Sequence, residues 1–99
     1  MKLFIDVHDK KNKTFPEISR EDFKNFLGDF DKSCGQNGVV IVRSHVNLED
    51  GRAFCLTMAR DGEAVRCAHD AVGLGFDSIT EVETASPNDA FFRGETRRA

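Results

Sequence analysis

The first eight residues alternate between apolar and polar side chains, which predicts a half-buried strand. Leu3, Ile5 and Val7 fall on one side of this strand, and Asp6 and His8 fall on the other. The apolar side is expected to pack under helices. Asp6 and His8 are therefore expected on the open face of the sheet.

Two helices and three more strands follow from the spacing of apolar residues and from the turn and capping residues between them. The predicted elements are a strand at residues 2–8, a helix that begins at Ser19 and stops near Gly35, strands at 39–46 and 52–59, a helix that begins at Asp61 and closes at Gly73 or Gly75, and a strand at 78–84. This β-α-β-β-α-β order is the ferredoxin-like arrangement. The predicted fold class is an α+β sandwich, in which a four-stranded antiparallel sheet carries two helices on one face. Residues 1–85 are expected to form this domain, and residues 86–99 a polar C-terminal tail.

Length, net charge and cysteine count limit the classes of protein to which this chain can belong. The chain has 99 residues, a formal net charge of −3 and three cysteines. That length suits one domain, and an odd number of cysteines argues against a disulfide scaffold. Basic residues form no stripe interleaved with aromatic residues, so nucleic-acid binding is not expected. The longest apolar run is too short to span a bilayer, and a cytoplasmic protein without membrane contact is expected.

Three residues of the types that bind metals or catalyse reactions are predicted to meet at one edge of the fold. His8 ends the first strand, Cys55 begins the third, and His69 ends the second helix. Imidazole and thiolate are the ligands that Ni, Zn, Cu and Fe select. Asp6 and Glu81, both predicted on the open face, supply carboxylates for charge balance. The predicted metal ligands are thus His8, Cys55, His69, Asp6 and Glu81, and no catalytic or cofactor-binding residue is assigned.

Two other functions remain open from the residues alone. Dimeric ferredoxin-like domains also host cofactor-independent oxygenases and isomerases, in which His69 would act as the general base. An enclosed apolar pocket would favour that reading, and a polar cluster would favour a metal. The third possibility is a dimeric interaction module in which the histidines are incidental.

A sheet with one uncovered face is often closed by a second copy of the chain. We therefore expect a homodimer in which the open faces are partly stacked. Phe91 and Phe92, the apolar residues of the tail, could seal that contact.

The second half of the chain has a specific pattern of motifs. Its positions are Phe54-Cys55-Leu56, Gly62-Glu63-Ala64-Val65, His69, Gly73, Asp77, Ile79, Glu81 and Val82, and the looser N-terminal part is Phe4-Ile-Asp-Val-His8, Asp29 and Gly38-Val39. This pattern resembles a family of small nickel-responsive, nickel-binding bacterial proteins.

The resemblance implies dimers of ferredoxin-like fold. It also implies metal binding, with nickel as the expected metal and with ligands drawn from His8, Cys55, His69 and nearby carboxylates. One position departs from the family pattern. Members often carry a histidine three residues before the aspartate that matches Asp29, and this chain has Phe26 there.

Overall fold

The computed structural model describes the backbone of residues 1–92 and the side chains of residues 1–88. Its elements are β1 (Lys2–Asp9), a single 3-10 turn (Lys10–Asn12), α1 (Arg20–Gln36), β2 (Val40–Asn47), β3 (Arg52–Ala59), α2 (Gly62–Ala71), β4 (Ser78–Val82), β5 (Thr84–Ser86) and β6 (Asp89–Phe92). Neither helix of this part of the chain is long and apolar enough to cross a membrane.

The first four strands form one antiparallel sheet in the order β2-β3-β1-β4. Both helices pack on one face of this sheet and against each other. The predicted ferredoxin-like sandwich is therefore confirmed, with β1 and β3 as the central strands. Side chains of β1 and β3 that face the helices therefore lie in the middle of the domain.

Both helices begin where the capping residues predict. The side chain of Ser19 accepts a hydrogen bond from the backbone N–H of Asp22 at 3.1 Å, and that of Asp61 accepts one from Ala64 at 2.9 Å. Such caps satisfy N–H groups that have no partner inside the helix. The cap at Asp61 also fixes where α2 begins. The buried side of this helix carries His69 together with Val65 and Ala68.

The first part of the predicted tail, residues 86–92, takes part in regular secondary structure. β5 and β6 pair as a small antiparallel hairpin, and the last strand of the main sheet ends at Val82, two residues earlier than expected. The side chains of Phe91 and Phe92, expected to seal a dimer contact, lie outside the described residues.

The predicted assignment of sheet faces is wrong. Phe4, Asp6 and His8 are 4%, 0% and 2% exposed, and they lie under the helices. Cys55 pairs with Asp6 across β1 and β3, so it lies on the same covered face. Polar groups can occupy this position because they are hydrogen-bonded to one another, which removes most of the cost of burying them. The candidate site is thus internal.

The open face carries the apolar row that the sequence suggested for the core. Its large side chains are Leu3, Ile5 and Val7 from β1, Phe54, Leu56 and Met58 from β3, Val40 from β2 and Val82 from β4. Phe54 and Val40 are 37% and 53% exposed.

Two glycine substitutions should change stability in opposite directions. Gly51 has φ +67°, and a Cβ there would lie 2.4 Å from the Lys10 side chain, so Gly51→Ala should destabilise the fold by about 1–3 kcal/mol. Gly28 lies inside α1 with open space around it, so Gly28→Ala should stabilise the fold by up to about 1 kcal/mol. Urea unfolding of the two variants beside the wild type measures both changes. Equal stabilities would contradict the turn conformation.

Candidate metal centre

One carboxylate oxygen at the centre of the domain contacts two imidazole rings. Asp6 Oδ2 lies 2.6 Å from His8 Nε2 and 3.0 Å from His69 Nε2. One possible ligand atom from each of these residues lies within 4.8 Å of the other two. All three side chains are buried. The fold therefore brings residues that are 63 positions apart in the chain to a single point.

Backbone carbonyl groups hold the other nitrogen of each ring. His8 Nδ1 donates to the carbonyl of Gly75 at 2.7 Å and also approaches that of Thr14 at 3.1 Å. His69 Nδ1 donates to the carbonyl of Val65 at 2.7 Å, one helical turn back. A carbonyl can only accept, so both Nδ1 atoms carry a proton. This arrangement orients both Nε2 atoms toward Asp6, as outer-shell carbonyls do for metal-binding histidines.

Aromatic packing fixes the His69 ring. It stacks on His8 with 5.4 Å between ring centroids, and Phe30 and Phe76 contact it at 4.7 Å and 5.3 Å. The ring is thus held by packing on several sides as well as by its two hydrogen bonds. Its Nε2 atom has little freedom to turn away from Asp6.

Cys55 lies beside this group and not inside it. Its side chain is 6% exposed and lines the same small cavity as His8, and its sulfur accepts a hydrogen bond from Ser44 Oγ at 3.3 Å. The sulfur is not among the three atoms that lie within 4.8 Å of one another. A small shift of side chains would be needed to bring the thiol into the same coordination sphere.

Glu81, the fifth predicted ligand, lies elsewhere. It pairs with Phe4 on the edge strand β4, is exposed, and approaches Lys2 at 3.9 Å. His45 pairs with Phe54 and lies on the open face, away from the buried histidines. Of the remaining cysteines, Cys67 is exposed, and burial raises the pKa of the Cys34 thiol to about 12.

A small apolar cavity adjoins the group. Its volume is about 30 Å³, and its lining includes His8, Cys55, Phe26 and Phe30. Position 26, where the resembling family often has a histidine, therefore does face the site. Here it contributes an aromatic wall that helps to separate the buried polar atoms from water.

Hydrogen bonding outweighs burial in setting the protonation of the metal-free group. Burial alone raises the pKa of Asp6, but the hydrogen bonds from His69 and His8 hold it below its usual value. Burial alone lowers the pKa of His8, but hydrogen bonds to Asp6 and Cys55 and the negative charge of Asp6 raise it to about 10. At neutral pH the metal-free protein thus contains a buried Asp6–His8 ion pair.

Sequence reasoning found the side chains of this group but not the atoms that orient them. Asp6, His8 and His69 were predicted from residue type and topology. The carbonyl groups of Thr14, Gly75 and Val65 carry no signal in the sequence, because every residue has one. Only the path of the backbone places them.

The Asp6–His8 ion pair predicts how the stability of the metal-free protein depends on pH. The raised pKa of His8 stabilises the fold fully below pH 6.5, and this contribution is lost as pH rises through about 10. The lowered pKa of Asp6 also stabilises the fold. This contribution is fully present above pH 3.8 and is lost as pH falls through the pKa that Asp6 has in the folded protein. Chelator-treated protein should lose up to about 1.4 kcal/mol per pH unit above pH 6.5, measured by urea unfolding.

The matched controls for this prediction are two histidine variants. His8→Gln should be less stable at pH 6 and should lack the decline above pH 6.5, whereas His45→Gln should keep it. A wild-type decline that survives in His8→Gln would contradict the assignment.

Comparison with known proteins gives a family and a similar fold. A family model described as nickel responsive protein SCO4226-like matches residues 4–82. The crystal structure of SCO4226 from Streptomyces coelicolor A3(2) superposes with a TM-score of 0.71 at 21% sequence identity, covering 85% of this chain and 99% of that one. No curated protein matches the chain. Because the family model spans most of its length, the protein belongs to the SCO4226-like family of nickel-responsive proteins.

Proposed function

We propose that this protein binds a divalent transition metal, with nickel foremost, and sequesters or senses it without catalysing a reaction. The ligands are Asp6, His8 and His69, with Cys55 as a fourth. Nickel comes first because the family is described as nickel responsive and because imidazole and thiolate ligands suit it. The three cysteines are free thiols, which suits a reducing compartment, and we place the protein in the cytoplasm.

The observation that carries this proposal is the convergence of two Nε2 atoms on Asp6 Oδ2. Since both Nδ1 atoms already carry protons, each Nε2 can donate to Asp6 only if its ring is an imidazolium. The metal-free protein would then bury two positive rings against one carboxylate, which is costly. A divalent cation can replace the two Nε2 protons and leave the net charge of the group unchanged.

The donor set fits such an ion in two further respects. Asp6 Oδ1 is buried and has no hydrogen-bond partner among the described residues, so the carboxylate has acceptor capacity left over. Two neutral imidazoles, one carboxylate and one thiolate from Cys55 would also balance the charge of a divalent cation. Cys55 therefore takes the charge-balancing role that the sequence suggested for Glu81.

The enzyme alternative receives less support from the cavities. The space beside His8 and Cys55 holds about 30 Å³, whereas pockets for small molecules usually hold several hundred. A larger groove of about 570 Å³ is lined by residues of α1 and β2, and its lining does not include Asp6, His8, Cys55 or His69. A polar cluster beside a small cavity favours an ion over an organic substrate.

Calorimetric titration tests the metal site. Metal-free wild-type protein should bind one Ni²⁺ per chain and release two or three protons at pH 7, because His8 and the Cys55 thiol each lose one and an imidazolium at His69 loses a third. Titrations in two buffers of different ionisation enthalpy count these protons. His69→Ala should weaken binding by more than about 100-fold, because losing a ligand costs more than losing an outer-shell partner.

The chain supplies its own control for that experiment. His45→Ala removes an exposed imidazole and should leave the affinity unchanged, and Cys55→Ser shows how much the thiolate contributes. Zn²⁺ serves as the competing ion. If wild type, His69→Ala and His45→Ala bind Ni²⁺ equally, the proposed site is wrong.

We also propose that the protein is a homodimer in which the open faces of two sheets stack. The face carries large apolar side chains from all four strands of the main sheet, together with Arg43 and His45 of β2 and Ser78 and Thr80 of β4. Three strands of eight residues and one of five, spaced about 4.8 Å apart, give roughly 450 Å² per copy, or about 900 Å² for two copies, which is close to the size of a small specific interface.

Light scattering coupled to size-exclusion chromatography tests the dimer. Wild-type protein at micromolar concentration should have twice the mass of one chain. Phe54→Asp places a charge on the open face and should produce a monomer, while Asn25→Asp makes the same charge change on the exposed surface of α1 and should not. A wild-type monomer would refute the proposal.

A further inference from the structure

Two buried side-chain polar atoms among the described residues have no hydrogen-bond partner, namely Asp6 Oδ1 and Thr57 Oγ1. Both side chains are 0% exposed. An unpaired buried polar atom destabilises a fold, so native structures contain few of them. Their occurrence as neighbours calls for a physical explanation.

The sheet register places the two residues diagonally across one square. Asp6 pairs with Cys55, and Phe4 pairs with Thr57, so Asp6 and Thr57 occupy opposite corners on the covered face. Diagonal neighbours in antiparallel strands are about 7–8 Å apart, with their Cβ atoms somewhat closer. Because no direct hydrogen bond joins Asp6 Oδ1 and Thr57 Oγ1, one water molecule between them is the contact that would satisfy both atoms.

The two atoms are chemically complementary. A carboxylate oxygen accepts hydrogen bonds, and a hydroxyl donates one. Both imidazole rings contact Oδ2, so they leave Oδ1 on the side of the carboxylate away from them. A group that holds Oδ1 would prevent the carboxylate from rotating about its Cβ–Cγ bond.

We propose that Thr57 is a positioning residue of the metal centre. Its hydroxyl donates, through one bridging water, to Asp6 Oδ1, and this contact keeps Oδ2 alone directed at the two imidazoles. The inference rests on the proposed function, since it concerns how Asp6 presents itself to the metal. It adds a residue that makes no contact with the metal and that has no motif in the sequence.

The test uses three threonine variants. Thr57→Val keeps the shape and removes the hydroxyl, and it should weaken Ni²⁺ binding about tenfold, the usual cost of losing an outer-shell partner. Thr57→Ser keeps the hydroxyl and should restore most of that affinity. Thr80→Val, on the open face of β4 opposite Ile5, removes a threonine hydroxyl away from the metal centre and should bind Ni²⁺ like wild type.

A second readout separates positioning from a general structural role. The thermal midpoint of metal-free Thr57→Val should stay close to that of wild type, because the bridging water remains on Asp6 Oδ1 and loses only its contact with the hydroxyl. The same variant loaded with Co²⁺ should show a changed visible spectrum, since a carboxylate free to turn can bind through both oxygens.

Each outcome decides a different point. If wild type and Thr57→Val bind Ni²⁺ equally while His69→Ala does not bind, the inference is wrong and the proposed function stands. If Thr57→Val lowers the midpoint of the metal-free protein and Thr80→Val does not, the hydroxyl has a purely structural role and the inference is wrong. If wild type binds no metal, both proposals fail together.

Discussion

The contact of Asp6 Oδ2 with two imidazole rings is the constraint on which the interior of this protein depends. A carboxylate and two imidazoles are expensive to bury separately, and they become tolerable only as a group whose atoms satisfy one another. That requirement explains why β1 turns its polar side inward. It also explains why His69 on α2, with Val65 one turn before it, is packed so firmly between aromatic rings.

Much of the fold was predictable because the local signals agree with one another. The caps at Ser19 and Asp61 and the Asp-Gly turn before β3 each place an element boundary within a few residues. The β-α-β-β-α-β order then follows, and with it the approach of β1 and α2. The helix caps and the turn were therefore enough to predict which elements pack together.

The choice of faces was not predictable from the same signals. Alternation divides a strand into two rows, but it does not say which row faces the helices. In β1 the more apolar row, with Leu3 and Ile5, is on the open face, because the other row carries the hydrogen-bonded group. The usual rule that apolar side chains face the core fails where the polar side chains of a strand are hydrogen-bonded to one another and where its apolar side chains are left for another surface.

Cys55 and Glu81, both predicted as ligands, lie in different places for a related reason. The first pairs with Asp6 itself, and the second with Phe4 at the edge of the sheet.

The complete burial of Asp6, His8 and His69 has a consequence for the rate of metal exchange as well as for affinity. An ion held among them would be separated from water, so it could leave only when part of the fold opens. The carbonyls of Thr14 and Gly75 that anchor His8 belong to two loops, and loops open more readily than the central strands. Local opening of these loops would therefore govern the rate of metal exchange. A protein of this design would release its ion slowly even where the equilibrium affinity is moderate, and loop sequence would tune the residence time independently of the ligands.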